Sequence, residues 1–100
     1  MAPRFASLSS EIPPGGQRRC EVGGVALLLV RLDDGLHAVQ DRCPHRGASL
    51  SESKVEEGIV TCRAHYWSFD VRSGACLQVP TLGLDTYRVH EKDGEIHVDV

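Results

Sequence analysis

The chain has 100 residues, and its 11 basic and 14 acidic side chains leave a net charge of −3 at pH 7. This length suits one compact domain and excludes a cofactor-binding catalytic domain joined to a second module. No basic run could neutralise a row of phosphates, so we do not expect nucleic acid as a partner.

The first half of the chain predicts a short strand, a loop and a hairpin. The Pro/Gly cluster at residues 13–16 indicates a loop after the first strand. Residues 25–32 and 36–40 are rich in aliphatic and β-branched side chains, and the Asp-Asp-Gly between them is typical of a tight turn. The apolar run 25–30 is far shorter than the roughly 20 residues that span a bilayer, so we expect no membrane segment.

The second half of the chain adds further extended segments. Residues 59–62 and 65–71 are predicted strands, while 86–92 and 95–100 flank an Asp-Gly pair and alternate apolar with polar residues. These last two segments predict a closing hairpin. Because no apolar residues keep a helical period over three turns, the predicted fold class is all-β.

Cysteine usage indicates metal or redox chemistry. Residues 1–10 contain no apolar stretch of the kind that a secretory signal needs, so the expected location is cytoplasmic. Four cysteines in a reducing compartment favour a metal site over a disulfide framework.

Two short segments each pair a cysteine with a histidine. Cys43 and His45 lie in a C-P-H segment, and Cys62 and His65 lie in a C-R-A-H segment. A 2Fe-2S cluster held by two cysteines on one iron and two histidines on the other is a Rieske centre. We therefore predict these four residues as the cofactor and metal ligands of one 2Fe-2S cluster, with no catalytic residue in the chain.

The alternative assignments of these residues are less well supported. A structural zinc site usually spaces two cysteines close together and two histidines close together, which this pattern does not do. Cys20 and Cys76 lie outside the two segments and are predicted to be small buried hydrophobic residues. His37, His90 and His97 fall in predicted strands and are given no ligand function.

The longer segments C-P-H-R-G-A and C-R-A-H-Y-W-S-F-D-V-R-S-G resemble the cluster loops of Rieske ferredoxins. These loops span about residues 43–48 and 62–69. The closest resemblance is to the ferredoxins of multicomponent bacterial oxygenases, which include the toluene monooxygenase and aromatic dioxygenase systems. Arg63 and Tyr66 occupy positions where many dioxygenase ferredoxins have Pro and Gly.

The resemblance implies a complete set of properties. The fold would be three stacked antiparallel sheets in a single domain, residues 1–100, with the cluster held by two loops at one tip. The protein would be a soluble monomeric one-electron carrier and not an enzyme by itself. It would take electrons from an NAD(P)H-dependent flavin reductase and pass them to a terminal oxygenase, either a Rieske dioxygenase or a diiron monooxygenase, in aromatic hydrocarbon catabolism.

A second functional hypothesis is a small Rieske subunit that is permanently bound to an oxidoreductase or that senses redox state. Glu52, Glu56 and Glu57 are predicted to form a solvated face, with an acidic docking rim as the alternative. Trp67 is predicted to cover the cluster loops and exclude water, in preference to an electron-conducting function.

The residues around the predicted ligands indicate a low reduction potential. High-potential Rieske proteins resemble this chain in their ligands but add a disulfide-linked cysteine to each loop, where this chain has Ala48 and Ala64. They also place Ser and Tyr hydroxyls at the positions of Trp67 and Phe69. Because hydrogen bonds to sulfur favour the reduced state, their loss predicts a potential near the lower end of the class range of about −150 to +300 mV.

Overall fold

The computed structural model describes residues 2–44, 47–64 and 66–100 of the chain. Within these ranges the chain forms the strands β1 Pro3–Leu8, β2 Gln17–Val22, β3 Val25–Leu32, β4 Gly35–Gln40, β5 Ile59–Thr61, β6 Ser68–Asp70, β7 Thr86–Tyr87, β8 Val89–Lys92 and β9 Glu95–Asp99. Two single 3-10 turns lie at Ser9–Glu11 and Leu50–Glu52. Among the described residues, no helix has the length and apolar character that a bilayer-spanning segment requires.

The strands form three antiparallel sheets, with the orders β1-β9-β8, β2-β3-β4-β7 and β5-β6. The four-stranded sheet lies between the other two, because each of its faces contributes to a separate hydrophobic core. The all-β prediction of three stacked sheets is therefore confirmed.

Two cores separate the three layers. The first core lies between the central sheet and the β5-β6 sheet, and it consists of Leu28, Val30, Val39, Cys43, Leu50, Val55, Val60, Cys62, Phe69, Val71, Cys76 and Leu84. The second core lies between the central sheet and the β1-β9-β8 sheet, and it consists of Ile12, Cys20, Val22, Leu27, Leu29, Ala38, Ile96 and Val98.

Strand β3 explains the long apolar run of the sequence. Leu28 and Val30 belong to the first core, whereas Leu27 and Leu29 belong to the second. Successive side chains of a strand point to opposite faces, so a strand that is covered on both faces is apolar at every position.

The β3-β4 hairpin confirms the predicted strand pair and corrects its turn. Leu32 pairs with Gly35, so Asp33 and Asp34 form the turn and Gly35 is already the first residue of β4. At the closing hairpin, in contrast, Asp93 and Gly94 both have positive φ angles, of 53° and 79°. That geometry is the one expected for an Asp-Gly hairpin turn.

Three parts of the strand prediction need correction. Of the predicted strand 65–71, Ser68–Asp70 form β6, whereas Tyr66 and Trp67 belong to the turn of the second loop. The predicted strand 86–92 is divided at Arg88: Tyr87 pairs with Ala38 in the central sheet, whereas Val89 pairs with Val98 in the outer sheet. Both apolar side chains pack on the second core, so their alternation continues although the backbone changes sheets. Strand β2 was not predicted, because two arginines and a glutamate interrupt its apolar pattern.

Candidate metal centre

Cys43 begins a tight turn that follows strand β4. Its backbone N–H donates to the carbonyl oxygen of Ala48 at 2.8 Å, and its own carbonyl oxygen accepts from the N–H of Gly47 at 2.8 Å. Gly47 has a φ angle of 74°, a left-handed conformation that glycine adopts without steric penalty. These bonds close the first predicted cluster loop on itself.

Cys62 begins a second turn with the same pattern of bonds. Its N–H donates to the carbonyl oxygen of Trp67 at 2.8 Å, and its carbonyl oxygen accepts from the N–H of Tyr66 at 2.7 Å. Tyr66 has a φ angle of 63°, so it occupies the left-handed position that Gly47 occupies in the first loop. The two loops therefore present their cysteines through the same backbone geometry.

Both cysteines lie inside the first core. The exposed fraction is 1% for Cys43 and 1% for Cys62, and both belong to the same buried group of side chains. Two cysteine sulfurs at equivalent positions of matched loops fit the thiolate half of a Rieske ligand set. Buried charges in proteins are paired or coordinate metals, so a metal centre would compensate the charge of these sulfurs as thiolate ligands.

The predicted histidine ligands His45 and His65 lie outside the described residues. Within the described ranges, which include neither of them, no three side chains of His, Cys, Asp or Glu form a group that could hold a metal ion.

The β5-β6 hairpin supports the second loop. Val60 and Phe69 form a cross-strand pair whose side chains are both fully buried in the first core. The hydroxyl groups of Thr61 and Ser68 lie 3.0 Å apart, and the Ser68 N–H donates to Gln78 Oε1 at 2.8 Å. These contacts hold the two strands that flank the loop.

Trp67 ends the backbone turn of the second loop. Its side chain is half-buried and packs against the first core, to which Cys43 and Cys62 belong. This packing fits the predicted function of covering the loops and excluding water.

An arginine joins the β5-β6 hairpin to the central sheet. Arg72 Nε lies 2.9 Å from Asp34 Oδ2, and a second guanidinium nitrogen lies 3.4 Å from Asp33 Oδ1. His37 Nε2 lies 2.9 Å from Asp34 Oδ1. The hydrogen bonds from His37 and Arg72 lower the pKa of Asp34 from 3.8 to about 2.

The three glutamates of the predicted solvated face line a groove beside the second loop. Glu52, Glu56 and Glu57 line an open groove of about 920 Å³ together with Cys62 and Tyr66. The Tyr66 side chain is 76% exposed. Lys54 and Arg63 line the same groove, so it carries charges of both signs and one exposed aromatic ring beside a predicted cluster ligand.

The remaining cysteines lie where the sequence predicted them, in the interior. Cys20 in β2 is 7% exposed, and burial raises the pKa of its thiol. Cys76 is 3% exposed and belongs to the first core, with its Sγ 3.8 Å from Gln78 Oε1.

The prediction that the three remaining histidines lie in strands is also confirmed. His37, His90 and His97 lie in β4, β8 and β9. His90 Nε2 lies 2.9 Å from Asp99 Oδ1, and His97 Nε2 lies 3.8 Å from Glu95 Oε1.

Asp41 is a residue of the site that the sequence analysis missed. It lies two residues before Cys43, and its side chain is completely buried. A carboxylate between the end of a predicted strand and a ligand motif is the signal that could have identified it.

Comparison with known proteins agrees with this geometry. The family model described as the Rieske [2Fe-2S] domain matches residues 4–88. The chain is 39% identical over 102 residues to the 3-phenylpropionate/cinnamic acid dioxygenase ferredoxin subunit of Photorhabdus laumondii, a match that covers 100% of this chain and 96% of that protein.

Solved structures with the same fold include a separate ferredoxin and part of a larger chain. The ferredoxin of carbazole 1,9a-dioxygenase from Nocardioides aromaticivorans IC177 matches with a TM-score of 0.87 and 28% identity, over 98% of this chain and 97% of that chain. A structure described as the reduced complex between oxygenase and ferredoxin in carbazole 1,9a-dioxygenase contains a chain that matches with a TM-score of 0.79 and 30% identity. That match covers 97% of this chain but 27% of the other.

The family match, the agreement along the whole chain and the two equivalent cysteine loops lead to one assignment. The chain belongs to the Rieske [2Fe-2S] family, as a ferredoxin of the aromatic dioxygenase type whose cofactor is a 2Fe-2S cluster.

Proposed function

We propose that this chain carries single electrons from an NAD(P)H-dependent flavin reductase to the terminal oxygenase of a ring-hydroxylating system. The observation that carries the proposal is the pair of matched loops, each of which begins at a buried cysteine of the first core. The relatives support it, because they are ferredoxin subunits of dioxygenases and match along almost their whole length.

The proposed ligands are Cys43, His45, Cys62 and His65. Each histidine follows its cysteine by two or three residues, within the segment that the backbone bonds of its loop enclose. The cluster, when bound, supplies a one-electron redox couple. The chain in turn buries the cysteine sulfurs and holds the two loops in a fixed relation.

Residues 1–100 are proposed to act as one domain. The family match ends at residue 88, yet β9 pairs with β1 and contributes Ile96 and Val98 to the second core. Removing β9 would expose those side chains, so the segment after residue 88 is part of the same unit. We place the protein in the cytoplasm, where reducing conditions keep Cys43 and Cys62 available as thiolate ligands.

The terminal oxygenase is proposed to dock beside the second loop. Tyr66 offers an exposed aromatic ring, and the groove next to it presents three carboxylates and two basic side chains, which suits a partner rim with charges of both signs. Of the two oxygenase classes expected from the sequence, the relatives favour a Rieske dioxygenase over a diiron monooxygenase.

The first experiment measures composition and redox behaviour. The purified chain should contain two irons and two acid-labile sulfides and give a Rieske-type paramagnetic signal after reduction. With NADH and a flavin reductase it should take up one electron per chain, and it should consume no aromatic substrate until a terminal oxygenase is added. Zinc without sulfide, or substrate turnover by the isolated chain, would contradict the proposal.

Gel filtration distinguishes a diffusing carrier from a permanently bound subunit. A carrier should elute as a monomer and be recovered without a co-purifying oxidoreductase. Recovery only in a stable complex with an oxidoreductase would support the alternative function instead.

A further inference from the structure

A buried carboxylate lies at the start of the first cluster loop. The side chain of Asp41 is completely buried, although the guanidinium of Arg19 that pairs with it is about half exposed. Among the buried residues that the structure describes, Asp41 alone has an acidic or basic side chain of the Asp, Glu, Lys or Arg type. Burying a carboxylate is costly unless all of its acceptor sites are used, so its contacts indicate its function.

The hydrogen bonds of Asp41 go mainly to the residues that follow the loop. Its Oδ2 accepts from the hydroxyl groups of Ser49 at 2.7 Å and of Ser51 at 2.9 Å, and its Oδ1 accepts from the Ser51 N–H at 2.6 Å. The remaining bond, from Arg19 Nε to Oδ2 at 2.9 Å, comes from strand β2.

These bonds form a second closure around the loop. The inner closure is the pair of backbone bonds that joins Cys43 to Gly47 and Ala48. The outer closure joins residue 41, before the loop, to residues 49 and 51, after it. The two closures therefore hold the described residues on either side of the loop, 41–43 and 47–51, against one another.

We propose that Asp41 is a positioning residue for the cluster, which holds the first loop in the conformation that presents its ligands. The proposal rests on the proposed function, because it takes Cys43 and His45 as ligands. A purely structural function would instead attach β2 to the fold. That strand is already paired with β3 from Gln17 to Val22, so the single Arg19 bond adds little to its attachment.

The experiment compares variants that remove one acceptor or one donor. Asp41→Asn replaces the charged acceptor at nearly constant volume, and Ser51→Ala removes one hydroxyl donor while its N–H remains. Ser51→Thr keeps the hydroxyl and tests rescue. Asp99→Asn is the matched control, because Asp99 bonds to His90 in the outer sheet, away from both loops.

Two quantities are measured on each cluster-containing variant. One is the rate of iron release to a chelator, compared with the rate of global unfolding in the same buffer. The other is the paramagnetic line shape of the reduced cluster, which reports ligand geometry and which a change in global stability alone does not alter.

Asp41→Asn should release iron at least about tenfold faster than wild type and should broaden or shift the signal, as losses near metal ligands commonly do. Ser51→Ala should show a smaller change in the same direction, and Ser51→Thr and Asp99→Asn should remain within about twofold of wild type. If Asp41→Asn yields no folded protein, the comparison of Ser51→Ala with Ser51→Thr decides the outcome.

A wild-type line shape and release rate in Ser51→Ala and Asp41→Asn, after correction for global unfolding, would overturn the positioning function. Failure of the proposed function gives a different result, because the wild-type protein would then show no Rieske signal at all.

Discussion

At the residue scale, burial alone does not distinguish the predicted ligand cysteines from the other two. Cys20, Cys43, Cys62 and Cys76 all have exposed fractions of 7% or less. The local backbone separates them, because Cys43 and Cys62 begin the two matched turns. Cys20 lies within β2, and Cys76 forms an isolated bridge with Phe69.

The first prediction compares the proposed ligand His65 with Cys76, a cysteine that is not proposed as a ligand. His65→Ala should reduce the iron bound per chain by more than roughly tenfold, because it removes a proposed direct ligand. Cys76→Ser should keep the cluster spectrum, since the serine hydroxyl can still donate toward Gln78. Iron analysis and visible absorption measure both effects. Equal cluster loss in the two variants would show that the ligand assignment is wrong.

A second residue-scale prediction concerns the reduction potential. Phe69 is completely buried in the core that contains Cys43 and Cys62, and it carries no hydrogen-bond donor on its side chain. Phe69→Tyr adds a hydroxyl there and should make the potential more positive, by at most roughly 60 to 130 mV for one hydrogen bond of about 1.5 to 3 kcal/mol. Voltammetry of the adsorbed protein measures the shift.

The control for this variant is Phe5→Tyr. It makes the same chemical change on β1, where Phe5 is 52% exposed and stacks edge-on with His97. Its potential should equal that of wild type. A wild-type potential above roughly +100 mV, in the upper part of the class range, would contradict the predicted low potential.

At the element scale, the two cluster loops have the same pattern of backbone hydrogen bonds. They differ in the residue at the left-handed position, which is Gly47 in the first loop and Tyr66 in the second. A left-handed conformation costs an L-residue about 1–2 kcal/mol, and glycine does not incur this cost. Tyr66 therefore retains strain that Gly47 avoids. Its exposed ring lies at the groove beside the second loop, where the oxygenase is proposed to dock.

This difference predicts opposite effects of two substitutions. Tyr66→Gly should raise the free energy of unfolding by about 0.5–1 kcal/mol, because relief of strain exceeds the extra entropy of the unfolded glycine. Gly47→Ala should lower it by about 1–2 kcal/mol, since its Cβ would also lie 3.1 Å from Arg42 Nε. Urea unfolding of the cluster-containing proteins tests both values. Destabilisation by Tyr66→Gly would contradict the strain argument.

At the scale of the whole molecule, ionic contacts join the β5-β6 hairpin to the central sheet. Arg72 follows β6 and bonds to Asp33 and Asp34 in the β3-β4 turn. The hairpin that holds Cys62 is thereby attached to the rest of the fold on its solvent side as well as through the first core.

The pH dependence of stability should report this attachment. The pKa of Asp34 is about 2 in the folded protein and near 3.8 without its partners, so the unfolded state binds more protons between these values. The stability that Asp34 contributes is therefore complete above about pH 4 and is lost as the pH falls toward 2.

Urea unfolding of wild type and Asp34→Asn should thus differ by a constant amount from pH 7 to 5, and the difference should shrink at lower pH. Arg72→Gln removes one of the two partners that lower this pKa and should show part of the same change. A difference that stays constant down to pH 2.5 would show that the contact does not act in solution.

The sequence by itself determined the features that depend on neighbouring residues. The β3-β4 hairpin follows from two apolar runs around an Asp-Asp-Gly turn, the β8-β9 hairpin follows from alternation around Asp-Gly, and the ligand motifs follow from the spacing of cysteine and histidine. The burial of Cys20 and Cys76 also followed from their chemistry. Each of these inferences uses interactions between residues close in the chain.

Only the tertiary structure decided the features that depend on distant contacts. Strand β2 has a mixed pattern because only Cys20 and Val22 face a core, and the change of sheet at Arg88 depends on which strand edges are available for pairing. Asp41 would be an ordinary surface carboxylate if the chain did not bring Arg19, 22 residues away, and the serines after the loop to the same place. The burial and hydrogen bonding of Asp41 are properties of the assembled layers, and no local pattern encodes them.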